Sequence, residues 1–156
     1  MADRKQPRVV AELGRPETPE ETAARKAETS EPLLSPVLPP GWTANDARFQ
    51  TTQQVPTWYI GFITPGEQYI GLDQGIGANA TWQATLLDQA QQTGTVTIDG
   101  IEWAVFDKRG SDDPGNYAYS IATTRGDSTV LLHGTASDEE FELLATTIAA
   151  QWKETP

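Results

Sequence analysis

Residues 95–106 read TVTIDGIEWAVF, and the path they take decides the architecture of the chain. Residues 95–98 and 101–106 are rich in β-branched and aromatic side chains. Asp99-Gly100 between them is the kind of pair that a two-residue hairpin turn favours. Doubling back there sets Ile98 opposite Ile101 and Val96 opposite Trp103, so four apolar side chains line one side of the pair. The competing reading is a dinucleotide-binding unit. Just upstream, Gly75-Ile76-Gly77-Ala78-Asn79-Ala80 matches G-x-G-x-x-G/A and opens a run with helical spacing. Asp99 would then be the acid that binds a ribose hydroxyl. That unit needs an apolar first strand, whereas YIGLDQ (69–74) is half polar,. It also needs further crossovers where this sequence has hairpin signals. The hairpin is the consistent reading, and Gly75 and Gly77 serve to bend the backbone.

The same pattern extends outward. In residues 57–64, Trp58, Ile60 and Phe62 alternate with Tyr59, Gly61 and Ile63, as a strand requires. Thr64-Pro65-Gly66-Glu67 supplies a turn and residues 69–74 return. Residues 42–49 are a candidate first strand. Residues 80–91 switch to helical spacing, with Trp82, Leu86 and Ala90 four apart and Leu87 beside them. Asn79 is placed to cap the start, and Gly94 lies just past the end. Residues 117–124 and 129–134 form another hairpin around Arg125-Gly126-Asp127. Ser137 and Glu140 make a capping box for a last helix, along one face of which lie Phe141, Leu144, Ala145, Ile148 and Trp152. The expected fold class is α+β: an antiparallel sheet of about six to seven strands with two helices, the C-terminal one packed on the sheet. No internal repeat is present.

Composition divides the 156 residues in two. Residues 1–31 hold six Lys/Arg and seven Asp/Glu and no aromatic side chain, so they are expected to be a polar, mostly disordered tail,. A short helix over about residues 19–28 has local capping signals but is too short to persist alone. Residues 32–156 carry all five tryptophans and are expected to form a single α+β domain, entered through the proline-rich segment 32–40. The net charge of −11 argues against nucleic acid, whose binding needs lysine and arginine to displace counterions,. The absence of cysteine removes disulfides, thiolate metal sites and cysteine nucleophiles,. No run of 18 or more apolar residues is present, so the chain as written reads as soluble,.

No catalytic residue, metal site or cofactor is assigned. His133 is the only histidine and sits mid-strand, where a sheet-face position is the ordinary expectation. A triad would need an activated nucleophile beside it; there is no G-x-S-x-G elbow, and Ser120 and Ser128 lie in strand and turn contexts. Asp107, Asp112, Asp113 and Asn116 offer oxygen ligands for a hard cation, but their spacing is not that of an EF-hand and Lys108 and Arg109 oppose one. A facing carboxylate pair for glycoside chemistry cannot be picked from so many acids. The tryptophans have apolar neighbours in phase and most are expected in the core; Trp42, which follows two prolines and a glycine at the start of the domain, is the choice for a stacking surface if any stands exposed. Trp42 and His133 are therefore the candidate binding residues.

The frame LPPGWTANDARF, TWYIGFITPGEQYIGLDQ, IDGIEWAVF and TTRGDSTVLLHGTASDEEFELLATTI resembles the actinobacterial domain of unknown function 4245 family over about residues 37–150. The resemblance implies a small extracytoplasmic domain held to the cell membrane by one amino-terminal helix, with no established activity. That helix is missing here, and Thr29-Ser30 is placed where an engineered deletion would leave a scar. The expected function is a non-enzymatic binding or accessory module of the cell envelope, with an envelope protein or a glycan as partner. It would meet the membrane only through the missing anchor. The alternatives are a small hydrolase-like enzyme whose carboxylates or His133 converge only in three dimensions, and a structural part of a larger envelope complex.

Overall fold

The computed structural model describes residues 33–36, 38–111 and 115–153. The expected tail over residues 1–31, with the Thr29-Ser30 junction, lies outside the described residues. Seven strands form one antiparallel sheet: β1 (Thr43–Thr52), β2 (Val55–Ile63), β3 (Tyr69–Ile76), β4 (Gly94–Ile98), β5 (Ile101–Asp107), β6 (Tyr119–Arg125) and β7 (Ser128–Gly134). Their spatial order is β1-β2-β3-β7-β6-β5-β4. Helix α1 (Ala80–Leu86) carries the chain from β3 to the far edge at β4, and α2 (Asp138–Lys153) follows β7.

The deciding hairpin has the expected register, with Ile98 opposite Ile101 and Val96 opposite Trp103. Its two turn residues have positive φ, 50° at Asp99 and 85° at Gly100, as a mirror-image turn demands,. Strands β3 and β4 run in the same direction, but β7, β6 and β5 lie between them. No crevice between adjacent parallel strands exists at Gly77 for a pyrophosphate. Gly77 sits at φ +67° in the turn, and a Cβ on Gly75 would lie 2.6–2.9 Å from the Trp82 ring. The first glycine thus lets a tryptophan lie on the sheet, and the second lets the chain turn.

The strand alternation gives the sheet two different faces. Trp58, Ile60, Phe62, Ile70, Leu72, Trp103, Ile121, Val130 and Leu132 face α2 and form the main core with Phe141, Leu144, Ala145, Ile148 and Trp152. Fully burying one of the larger side chains contributes about 1.5–3 kcal/mol. Residues 33–36 and 38 pack on this face as well, burying Leu33, Leu34 and Leu38. They are tied down at both ends of a small network. The Leu34 amide donates to Gln74 Oε1 (2.8 Å), the Trp58 indole donates to the Leu34 carbonyl (2.7 Å), and the Ser35 amide donates to Gln151 Oε1 (2.9 Å).

The opposite face is covered at one end by α1, where Trp82 and Leu87 pack with Val55, Phe106, Ala122 and Leu131. Asn79 caps α1 by accepting from the Trp82 amide at 2.8 Å, as its sequence position predicts. The helix is shorter than the spacing over residues 80–91 suggests. It stops because Asp88 and Gln89 turn left-handed (φ 55° and 61°), and the Gln89 amide bonds back to Ala84 O at 2.8 Å. That reversal still delivers Ala90 to the α1 cluster. Gly94 starts β4 instead of ending the helix.

Candidate functional site

The end of the α1 face that the helix does not reach holds a polar cluster. Strand alternation puts Tyr59 of β2, Tyr69 and Asp73 of β3, His133 of β7 and Ser120 of β6 on this one side. The register sets Gly71 opposite His133 and Ser120 opposite His133 from the other flank. The cluster is therefore laid across neighbouring strands, with His133 in the middle.

His133 Nε2 donates to Asp73 Oδ2 at 2.9 Å, the acceptor on the carboxylate fixing which nitrogen carries the proton,. Nδ1 lies 3.4 Å from the Asn116 carbonyl oxygen, which a ring protonated on Nε2 alone meets as a contact and not as a hydrogen bond,. His133 is 5% exposed and Asp73 6%. Tyr117 stacks on the imidazole at 5.0 Å with the planes 19° apart, and Tyr69 meets it edge-on at 5.9 Å. Glycine makes the close approach feasible: a Cβ at Gly71 would collide with the Tyr69 hydroxyl and sit 2.8 Å from His133 Cε1.

The tyrosine hydroxyls of Tyr59 and Tyr69 are 2.6 Å apart. Burial, then the hydrogen bond to Tyr59 and the electrostatic influence of Tyr59, Asp73 and Tyr117, push Tyr69 far above the ordinary phenol range. Tyr59 is raised by burial and by Asp73 and Asp46, against the lowering effects of Tyr69 and Arg48. Tyr117 is raised by burial and by Asp73 and Asp88. All three hydroxyls stay protonated at neutral pH, so none is a phenolate base.

Asp73, His133 and Ser120 lie across adjacent strands in the order a Ser–His–Asp triad would need. The contacts do not make one. Nε2 is committed to Asp73, Nδ1 faces a carbonyl, and the buried Ser120 hydroxyl has no hydrogen-bond partner among the described residues. A general base must reach the proton it takes, and here it does not.

Trp42 requires a correction. It is 6% exposed and packs edge-on against Phe62 at 6.3 Å between centroids, inside the main core. Gly41, at φ +101°, turns the chain so that the indole after the two prolines points inward. His133 occupies the sheet face that alternation gives it. Of the acidic loop, Asp107 accepts from Arg109 (3.1 and 2.8 Å), while Asp112 and Asp113 lie outside the described residues. Among the described residues no group of three or more histidine and acidic side chains is placed to hold a metal ion. No described helix is long and apolar enough to cross a membrane.

The described grooves lie away from His133. The ladder between β5 and β6 stops at Ala104 opposite Ala122, although both strands continue. Beyond that point one groove of about 620 Å³ opens beside Ile101, Arg125, Ala149 and Trp152. Another of about 340 Å³ opens on the α1 face beside Gln83, Glu102 and Thr124.

With this geometry in hand, the comparison with known families is decisive on one point. The sequence profile described as "Protein of unknown function (DUF4245)" matches residues 6–148. The chain belongs to this family. The match begins well before the quoted motifs, so it takes in amino-terminal residues that they do not cover. No curated protein matches the chain.

Proposed function

We propose that this member of the family is a non-enzymatic binding or accessory module of the cell envelope, acting outside the cytoplasm and anchored by an amino-terminal helix. One observation carries the non-enzymatic part. The chain's only histidine is bonded to Asp73, stacked under Tyr117 and cut off from Ser120, and neither described groove reaches it. A group sealed in this way ties the central strand to its neighbour; it does not exchange protons with a substrate. The location rests on the resemblance of the motif frame to an actinobacterial membrane-anchored family.

The hydrolase reading has one observation of its own, the order Asp73, His133, Ser120 across β3, β7 and β6. It requires Tyr117 to leave and the imidazole to turn. Labelling with a fluorophosphonate separates the readings. The accessory role predicts no adduct on Ser120 and capture of an envelope component by the tagged domain from detergent-solubilised membranes. A stoichiometric adduct on Ser120 that disappears in His133→Ala would replace it with the enzyme. A full-length gene encoding about 20 apolar residues near Thr29-Ser30 tests the anchor; an uninterrupted gene identical to this chain would end it.

A further inference from the structure

The tyrosines above the sealed pair form a surface of their own. Tyr59, Tyr69 and Tyr117 are each half-buried, on the part of the sheet that α1 leaves uncovered. Gly61 and Gly71 are direct cross-strand partners, and the Tyr59 and Tyr69 hydroxyls each lie over the glycine two residues along their own strand. The result is a shallow aromatic dish, floored by glycine backbone.

Its rim is set by an irregularity in β1. The register with β2 shifts between Ala44 and Asp46. Such a bulge puts two successive side chains on one face and re-aims them. Asn45 Oδ1 reaches to 3.0 Å from the position a Gly61 Cβ would take, and Asp46 pairs with Arg48 at 3.2 Å. Arg48 in turn lies over the Tyr59 ring at 4.9 Å. Of the carboxylates near the dish, Asp46 is engaged by Arg48, Asp73 by His133, and Asp88, which acts on Tyr117, by Lys108. Asp73, 6% exposed, lies beneath the rings, and Asp46 at the rim is paired with the Arg48 guanidinium, so the rim itself presents no unpaired carboxylate.

A ligand matched to this surface has apolar faces for the rings, many hydroxyls for the amide, guanidinium and phenol groups, and no net charge. We propose that Tyr59, Tyr69 and Tyr117, with Asn45, Asp46 and Arg48 at the rim, bind a neutral saccharide. The C–H face of a pyranose packs on the tyrosines, and its hydroxyls bond to the rim. This rests on the binding-module reading above and replaces Trp42 as the stacking element.

The test is calorimetric titration of the full chain with maltohexaose, cellohexaose and chitohexaose, alongside hexagalacturonate and hexalysine as charged probes. The assignment predicts that at least one neutral hexasaccharide binds with a dissociation constant of about 1 mM or tighter. Affinity should drop about ten-fold or more in Tyr59→Ala and in Tyr117→Ala, and measurably in Asn45→Ala, whose exposed position spares the fold. Arg125→Ala, on the other face, should bind as the parent does. Silence from all three neutral sugars at about 10 mM overturns the assignment, as does preference for a charged probe or binding that survives the tyrosine and Asn45 changes. Capture of an envelope protein without sugar binding ends this assignment and leaves the binding reading intact. Release of new reducing ends from the probe ends the binding reading itself.

Discussion

The two faces of one sheet are built on opposite principles. The α2 face is dry: Ile60, Phe62, Ile70, Leu72, Leu132 and Leu144 are fully buried, and the lead-in segment closes it further. The other face is apolar only beneath α1 and turns polar within two residues along β7, from Leu131 to His133. Stability is concentrated on the first and adaptable chemistry on the second. The difference comes from cover. A sixteen-residue helix shields one side, and a seven-residue helix shields part of the other.

The comparison can be broken by mutation, beginning with the largest effect. Phe62→Ala should cost about 3–5 kcal/mol in urea unfolding, because it empties the α2 core. A loss near 1 kcal/mol would mean that this face is looser than its packing. Gly75→Ala should cost about 1–3 kcal/mol, since the new methyl group meets the Trp82 ring,. The Trp82 environment should change while His133 signals stay put. Asn79→Ala, which removes the α1 cap, should cost about 1 kcal/mol,. An equal loss from Asn79→Gly would argue against the cap.

The smallest effect is on the surface. Arg109→Ala breaks exposed pairs with Asp107 and Asp138 and should cost less than about 1 kcal/mol near neutral pH,. Side-chain and backbone hydrogen bonds to Arg109 hold the Asp107 carboxyl below its usual value of 3.8. A lowered carboxyl stabilises the fold above that value, and the contribution is lost as pH falls through the lowered one. The gap between parent and variant should therefore close in acid; a gap that widens there would contradict the pairing.

Much of the sheet was legible because turn chemistry announced it. Asp99-Gly100 fixed the β4–β5 register, and Ser137 with Glu140 marked the start of α2. The β1–β2 turn gave no such sign: Gln53 and Gln54 adopt positive φ (50° and 67°) without glycine or asparagine. Helix α1 ended early for the same reason, at Asp88 and Gln89. The site was less legible than the sheet. His133 was visible as a lone histidine, but Asp73 looked like a polar blemish in YIGLDQ until pairing brought the two together from 60 residues apart. Its signal was an acid in a strand bounded by glycines. Trp42 misled because two prolines suggest exposure, whereas Gly41 turns the indole into the core.

Because the chain has a single histidine, its imidazole can be observed without ambiguity. The most direct measurement is a nitrogen–proton spectrum of the His133 ring in the intact protein. The account predicts one Nε2-bound proton, protected from exchange with water and shifted when Asp73 becomes asparagine. A ring proton that exchanges freely, or one unmoved by Asp73→Asn, would contradict the claim that this histidine is locked into the sheet.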